Sequence, residues 1–155
     1  MFMALLTDNQ IAIIIDKAIK NRSESSNVEF KDARGGMPNQ LWRTISSFSH
    51  QPGGGLIVLG VKEDRLKGKI GVVGGLELAP LQEKIISYLN DAMKNHGQEE
   101  VRVINFQKNQ LLVLIISETP DELKPCFNKK LGLTNGACIR QGSTDRVITD
   151  EEMRS

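Results

Sequence analysis

The stretch from Gln40 to Asp64, QLWRTISSFSHQPGGGLIVLGVKED, organises the chain. Apolar side chains at helical spacing lead into Gly53-Gly54-Gly55, and an almost wholly apolar segment, Leu56 to Val61, follows. Glycine has no Cβ, so it lets two backbones approach closely or adopt positive φ. The pattern therefore predicts a helix, a tight turn and a buried strand that packs closely on that helix.

The composition is that of an ordinary water-soluble domain. The 155 residues are 39% hydrophobic and 25% charged, with a net charge of +1. Cys126 and Cys138 match neither zinc-ligand spacing nor a disulfide framework, which favours a reducing, cytoplasmic location. The longest apolar run, Leu111 to Ile116, is far too short to span a membrane, so no membrane partner is predicted.

Helical and strand patterns alternate along the chain. A capping box, Thr7-x-x-Gln10, opens an amphipathic helix that ends near Arg22. The segment VEFKD then alternates, with Val28 and Phe30 on one face and the charged side chains on the other. Together these patterns predict an α/β (α+β) fold: a mixed β-sheet of about five to six strands with helices packed on it.

Acidic residues occur near two predicted strands. Glu24 and Glu29 flank the turn into the first strand, and Glu63 and Asp64 end the central one. If these strands are neighbours, their carboxylates could converge, hold Mg²⁺ or Mn²⁺ and promote phosphodiester hydrolysis. The alternative is that they are solvated turn residues. No other cofactor is predicted, because the glycines follow a helix and precede a strand, the reverse of a phosphate loop.

Basic residues are concentrated in turns that should meet at strand ends. Phosphate binding needs Lys and Arg side chains displayed together, and not a high overall charge. The candidates for phosphate contact are Lys31, Arg43, Lys62, Arg65, Lys67, Arg140 and Arg146. The alternative is a mixed-charge surface without a ligand. His50 and His96 end predicted elements and are expected to be surface or capping residues.

Three segments resemble the Schlafen/AlbA_2 family: ESSNVEFKD, TISSFSHQPGGGLIVLGVKED and GACIRQGSTDRVITDEEM. The resemblance covers Ser23 to Met153 and implies an α/β domain, described as a DNA-binding module of predicted transcriptional regulators. In relatives with RNase activity, two glutamates spaced like Glu24 and Glu29 join a later aspartate. Here Lys62 stands where that aspartate often follows Gly-Val, so Glu63 or Asp64 would have to supply the third carboxylate.

The expected organisation is an N-terminal amphipathic helix over residues 1–22 and a Schlafen/AlbA_2-like domain over residues 23–155. A second capping box, Thr149-x-x-Glu152, predicts a helix that begins just before the chain ends. This suggests a fragment of a longer protein.

Three hypotheses follow. The first is a non-enzymatic nucleic-acid-binding domain of a transcriptional regulator, contacting the backbone of DNA rather than RNA through the seven basic residues. The second is a metal-dependent endoribonuclease that uses Glu24, Glu29 and Asp64. The third is an interaction module, in which the first helix or an exposed sheet edge forms a homodimer.

Overall fold

The computed structural model describes residues 6–21, 26–64, 66–97 and 99–154. Two of the predicted site residues, Glu24 and Arg65, lie outside the described residues. The helices are α1 (Asp8–Lys20), α2 (Leu41–Ser49), α3 (Leu78–Ala92) and α4 (Asp150–Arg154), with a short 3-10 helix at Asp121–Leu123. The strands are β1 (Val28–Lys31), β2 (Gly55–Leu59), β3 (Val61–Asp64), β4 (Lys69–Val72), β5 (Met93–Lys94), β6 (Glu99–Phe106), β7 (Asn109–Ile116), β8 (Phe127–Asn128), β9 (Cys138–Gln141) and β10 (Thr144–Val147).

The central sheet is mixed, which confirms the predicted fold class. In the described ranges it has four strands in the order β1-β2-β7-β6, with β1 parallel to β2 and the remaining pairs antiparallel. This sheet is smaller than the predicted five to six strands. The other strands form two-stranded ribbons, β3–β4, β5–β8 and β9–β10. Gly60, with a φ of +108°, separates β2 from β3, so β3 pairs with β4 instead of extending β2.

Alternate side chains of the central strand β7 pack against helices on opposite faces of the sheet, which gives a three-layer structure. Leu111, Val113 and Ile115 of β7 belong to a buried cluster that also contains apolar residues of α1. The intervening side chains of β7 belong to a second cluster with apolar residues of α2 and α3. Because successive side chains of a strand point to opposite faces, β7 is covered on both sides. The sheet thus lies between α1 on one face and α2 with α3 on the other.

The predicted capping boxes are present at both ends of the chain. The amide of Gln10 donates to Thr7 Oγ1 at 3.2 Å, and the Thr7 amide donates to Gln10 Oε1 at 2.8 Å. At α4, the Glu152 amide donates to Thr149 Oγ1 at 3.2 Å. Each pair satisfies amides that have no partner within the helix. The N-termini of α1 and α4 could therefore be predicted from the local sequence.

The glycine turn packs as tightly as the sequence predicts. Gly54 has a φ of +70°, and a Cβ at this position would lie on the Ile116 carbonyl oxygen. A Cβ on Gly55 would meet the Phe48 ring at 2.5 Å. Glycine is required here both for the left-handed backbone and for the close approach of β2 to α2 and β7.

No helix in the described ranges is long and apolar enough to cross a membrane.

Candidate functional site

A groove opens where β1 ends beside the β3–β4 hairpin. We call it the β1–β3 groove; its volume is about 570 Å³. It brings together charged residues of both strands, with one apolar side chain at the hairpin tip. Its lining residues are Glu29, Phe30, Lys31, Asp32, Lys62, Glu63, Asp64 and Leu66. Two of the three predicted carboxylates, Glu29 and Asp64, therefore face the same groove.

Glu29 is held between two cations. In β1 it alternates with Val28 and Phe30, which belong to the cluster on the α1 side of the sheet. Its Oε2 accepts a hydrogen bond from Arg140 Nη2 at 3.0 Å, and its Oε1 lies 3.3 Å from Lys31 Nζ. The carboxylate is only 10% exposed and the Arg140 side chain 1%. Glu29 thus joins β1 to the β9–β10 hairpin.

A second carboxylate also binds Arg140. Arg140 Nη1 donates to Asp145 Oδ1 at 2.9 Å, and Thr44 Oγ1 donates to Asp145 Oδ2 at 2.7 Å. The guanidinium also lies 4.9 Å from the centroid of the Phe48 ring. We call Glu29, Arg140 and Asp145 the arginine cluster. Burial opposes the charge, but the hydrogen bonds and charges of the two carboxylates outweigh it and raise the pKa of Arg140.

The described residues do not assemble a metal site by themselves. Among them, no group of three His, Cys, Asp or Glu side chains could hold an ion. Both Glu29 oxygens lie against cationic nitrogens, and Asp64 Oδ1 accepts the Lys67 amide at 3.2 Å. Mg²⁺ and Mn²⁺ prefer several oxygen ligands, some of them water. The third predicted ligand, Glu24, lies outside the described residues.

The predicted phosphate ligands fall into two groups. Lys62 and Lys67 are exposed on the β3–β4 hairpin. Lys31, 37% exposed, stands on the groove wall. Three of the arginines, Arg43, Arg140 and Arg146, are engaged within the protein. Arg43 Nη2 donates to the Asp145 carbonyl at 3.3 Å, and Arg146 binds Glu152 through two hydrogen bonds of 2.8 and 2.7 Å.

The comparisons with known proteins agree with the motifs. The family profile described as Schlafen, AlbA_2 matches residues 24–149. The chain belongs to this family. No match was found among functionally curated proteins.

Two solved structures share the fold of this Schlafen AlbA_2 domain. One is the solution NMR structure of the N-terminal domain of a RecG-related protein from Nitrosomonas europaea, a predicted ATP-dependent DNA helicase. It is 26% identical, with a TM-score of 0.66, and the alignment covers 90% of this chain and 94% of that one. The other is the DIP2311 protein from Corynebacterium diphtheriae, at 15% identity and a TM-score of 0.56. That alignment covers 91% of this chain but 30% of the other.

His50 lies in the second of the three sequence segments that resemble the Schlafen AlbA_2 family. The capping prediction is confirmed, because His50 is the C-cap residue of α2. Its ring is nevertheless not a surface group, because it is partly buried and joins the segment before β8 to the start of β9. Its Nε2 accepts the Cys126 amide at 2.8 Å, and its Nδ1 lies 2.7 Å from the Cys138 carbonyl oxygen. This arrangement needs the neutral ring with its proton on Nδ1. Burial lowers the pKa of His50, which favours that neutral form.

The acidic and hydroxyl residues that support Arg140 were not predicted. Asp145 lies in the segment GSTDR beside Arg146, and Thr44 lies on α2. The available signal was the position of Asp145 in the third family motif, five residues after Arg140. Only the β9–β10 register, which pairs Arg140 with Asp145, shows that the two side chains meet.

Proposed function

We propose that this domain binds nucleic acid, DNA in preference to RNA, within a transcriptional regulator. The observation that carries the proposal is the exposure of Lys62 and Lys67 on the β3–β4 hairpin, with Lys62 and Lys31 both lining the β1–β3 groove. Ammonium groups presented together in this way suit the evenly spaced phosphates of a nucleic-acid backbone. Membership of the Schlafen AlbA_2 family and the likeness to the domain of the RecG-related protein support it.

Backbone contact suits this surface better than base stacking. Aromatic residues make up 5% of the chain, whereas single-stranded nucleic acid is commonly bound on aromatic platforms. The β3–β4 hairpin instead presents ammonium groups, which attract phosphates without reading bases. The arginine cluster contributes indirectly. It is buried and holds the β9–β10 hairpin against β1, which forms one wall of the groove.

A fluorescence-anisotropy titration tests the proposal. Labelled duplex DNA and single-stranded RNA are titrated at several salt concentrations against the wild-type chain and a Lys62→Gln/Lys67→Gln variant. The matched control is Lys17→Gln/Lys94→Gln, which removes the same charge from exposed positions on α1 and β5. We expect duplex DNA to bind more tightly than RNA. We also expect the hairpin variant to reduce the slope of log K against log salt by about one per lost phosphate contact. Equal losses in both variants, or binding independent of salt, would contradict it.

A Schlafen-like metal-dependent endoribonuclease is the second candidate. The observation that favours it is that Glu29 and Asp64 line one groove. RNA incubated with and without Mn²⁺ is analysed on a gel, using the wild type, Glu29→Gln and Asp64→Asn. Asp91→Asn, an exposed position on α3, is the control. Metal-dependent shortening of the RNA that Glu29→Gln and Asp64→Asn remove, with folding intact by circular dichroism, would establish the nuclease. Intact products in every lane would exclude it.

Homodimerisation is a third, separate expectation. Ile13 on α1 is 56% exposed and would lie in such an interface. Sedimentation of the chain across a range of concentrations measures the association. A strict monomer at high concentration would exclude homodimerisation.

A further inference from the structure

A second pocket lies at the end of the sheet opposite the β1–β3 groove. In the sheet register, Lys31 is paired with Leu59 at one end, whereas Gly55 and Glu99 both lie against Ile116 at the other. The second pocket has a volume of about 620 Å³ and lies between the C-terminal half of α3 and the start of β6. Its lining combines apolar side chains with polar groups that include two carboxylates, Glu99 and Glu100. The residues that matter here are Ile86, Leu89, Val101, Asn90, His96 and Glu99.

One wall contains a buried carboxyl group paired with an imidazole. The Glu99 side chain is 5% exposed, and its Oε2 lies 2.6 Å from His96 Nδ1. The same ring nitrogen lies 3.2 Å from the Gly97 carbonyl oxygen. Since Nδ1 faces two acceptors, it carries a proton and donates it. One Glu99 oxygen is thereby satisfied.

The other oxygen is not satisfied by the described residues. Glu99 Oε1 is shielded from water and has no hydrogen-bond partner among them. A buried acceptor without a donor is unfavourable, and such groups in native proteins call for an explanation. The neighbouring Glu100 offers none, because its exposed carboxylate binds Arg102 at 2.6 Å. Burial also raises the pKa of Glu99, although the charge and hydrogen bond of His96 oppose this.

We propose that this pocket binds a small organic cation, a primary ammonium group carried on an apolar body. The ammonium donates a hydrogen bond to Glu99 Oε1, and the apolar body packs against Ile86, Leu89 and Val101. The pocket volume lies in the range of small-molecule sites, which combine apolar walls with a few convergent polar groups. A charge-assisted hydrogen bond in a dry site is stronger than a neutral one, so the carboxylate selects a cation over a neutral isostere.

This site is independent of the nucleic-acid interface. Its residues come from α3, β6 and the segment between α3 and β6, and none of them lines the β1–β3 groove. A failure to bind nucleic acid would therefore not contradict the proposed cation site. A failure to bind the cation would likewise not contradict nucleic-acid binding.

The test is an NMR titration of the ¹⁵N-labelled chain with benzylamine and, in parallel, with neutral benzyl alcohol. We expect saturable shifts of the Asn90, Gly97 and Val101 amides with benzylamine and at least about tenfold weaker binding of the alcohol. Glu99→Gln should weaken amine binding by about tenfold or more and leave alcohol binding unchanged. The matched control, Glu83→Gln, removes an exposed carboxylate of α3 that does not line the pocket, and it should change amine binding less than about twofold.

A second variant covers the case in which Glu99→Gln does not fold. Ile86 is 45% exposed on the pocket wall, so Ile86→Trp fills the pocket without disturbing the core, and it should abolish the amine-induced shifts. Equal affinity for amine and alcohol, or amine binding unaltered in Glu99→Gln, would overturn the proposal. Shifts that persist in Ile86→Trp would overturn it as well.

Discussion

Arg140 and Glu29 are separated by 111 residues, yet Arg140 Nη2 donates to Glu29 Oε2 at 3.0 Å in the protein interior. The pair joins the first and last of the three family motifs. Arg140 is almost completely buried, so its charge must be balanced inside the protein, and Asp145 supplies the second carboxylate. The resulting cluster holds the β9–β10 hairpin against edge strand β1, beside the groove that we assign to nucleic acid.

Removing Arg140 should strongly destabilise the fold. Arg140→Ala leaves Glu29 and Asp145 without their shared cation, and breaking a buried ion pair in this way costs about 3–5 kcal/mol. Urea unfolding followed by circular dichroism measures the loss. The control is Arg146→Ala, whose more exposed ion pair with Glu152 should contribute much less to stability. Similar losses for the two variants would contradict the structural role of the arginine cluster.

Gly54 should tolerate no side chain. Gly54→Ala places a Cβ on the Ile116 carbonyl oxygen and forces alanine to adopt a φ of +70°. Strain and overpacking together should lower the free energy of unfolding by about 2–4 kcal/mol. Gly35→Ala is the matched control, because nothing lies within 4 Å of its added Cβ, and it should change stability by less than about 0.5 kcal/mol. Thermal and urea denaturation of both variants compare the two sites directly.

His50 should make stability depend on pH. Burial holds the pKa of the folded-state ring below its usual 6.5, so the unfolded chain binds more protons between the lowered pKa and 6.5. The contribution of His50 is therefore complete above pH 6.5 and is lost as the pH falls through that window. Urea midpoints at pH 7.5 and 5.5 measure this slope, which His50→Gln should reduce.

An independent measurement tests the same ring. Long-range ¹H–¹⁵N NMR at pH 7 should show the neutral tautomer with the proton on Nδ1, because Nε2 accepts the Cys126 amide. An imidazolium at pH 7, or an unchanged slope in His50→Gln, would refute the bridging role.

Both cysteines should be chemically inert in the folded protein. They are free and buried, and burial raises the pKa of Cys126 to about 12 and also raises that of Cys138. Since the thiolate is the reactive form, its fraction at pH 8 falls about 10³-fold for Cys126 relative to an ordinary thiol. Alkylation with iodoacetamide, monitored by mass spectrometry, should modify both thiols only in denaturant. Cys138→Ser isolates Cys126, and rapid native labelling of that variant would contradict its burial.

Much of the fold could be predicted because its signals are local. The Thr7 and Thr149 capping boxes, the period of α1 and the apolar run of β7 each depend on residues within a few positions of one another. The triple glycine likewise predicted close packing, and the structure confirms it at Gly54. The same reasoning overestimated the central sheet, because local pattern identifies strands without specifying their partners. The β3–β4 ribbon is the clearest case, since Glu63 and Asp64 were expected to end the central strand but lie in β3, which pairs with β4 outside the central sheet.

The candidate site was predictable only in part. The alternating sequence pattern predicted that Glu29 and Lys31 lie on the same face of β1. The family resemblance identified Asp64 as a candidate for the third carboxylate. Neither the sequence nor the family resemblance predicted that the Arg140 side chain is buried while Lys62 and Lys67 remain exposed.

The amino-acid sequence by itself determined the helices, the buried strands, the family and the residue types available to bind phosphate. The tertiary structure alone decided that Glu29 is neutralised by Arg140, that His50 bridges Cys126 and Cys138, and that Glu99 lies in a pocket at the far end of the sheet. The reason is physical. Helix and strand periodicity arise between near neighbours in the chain, whereas these contacts join residues tens of positions apart. Their geometry depends on strand register and on how each layer packs against the next.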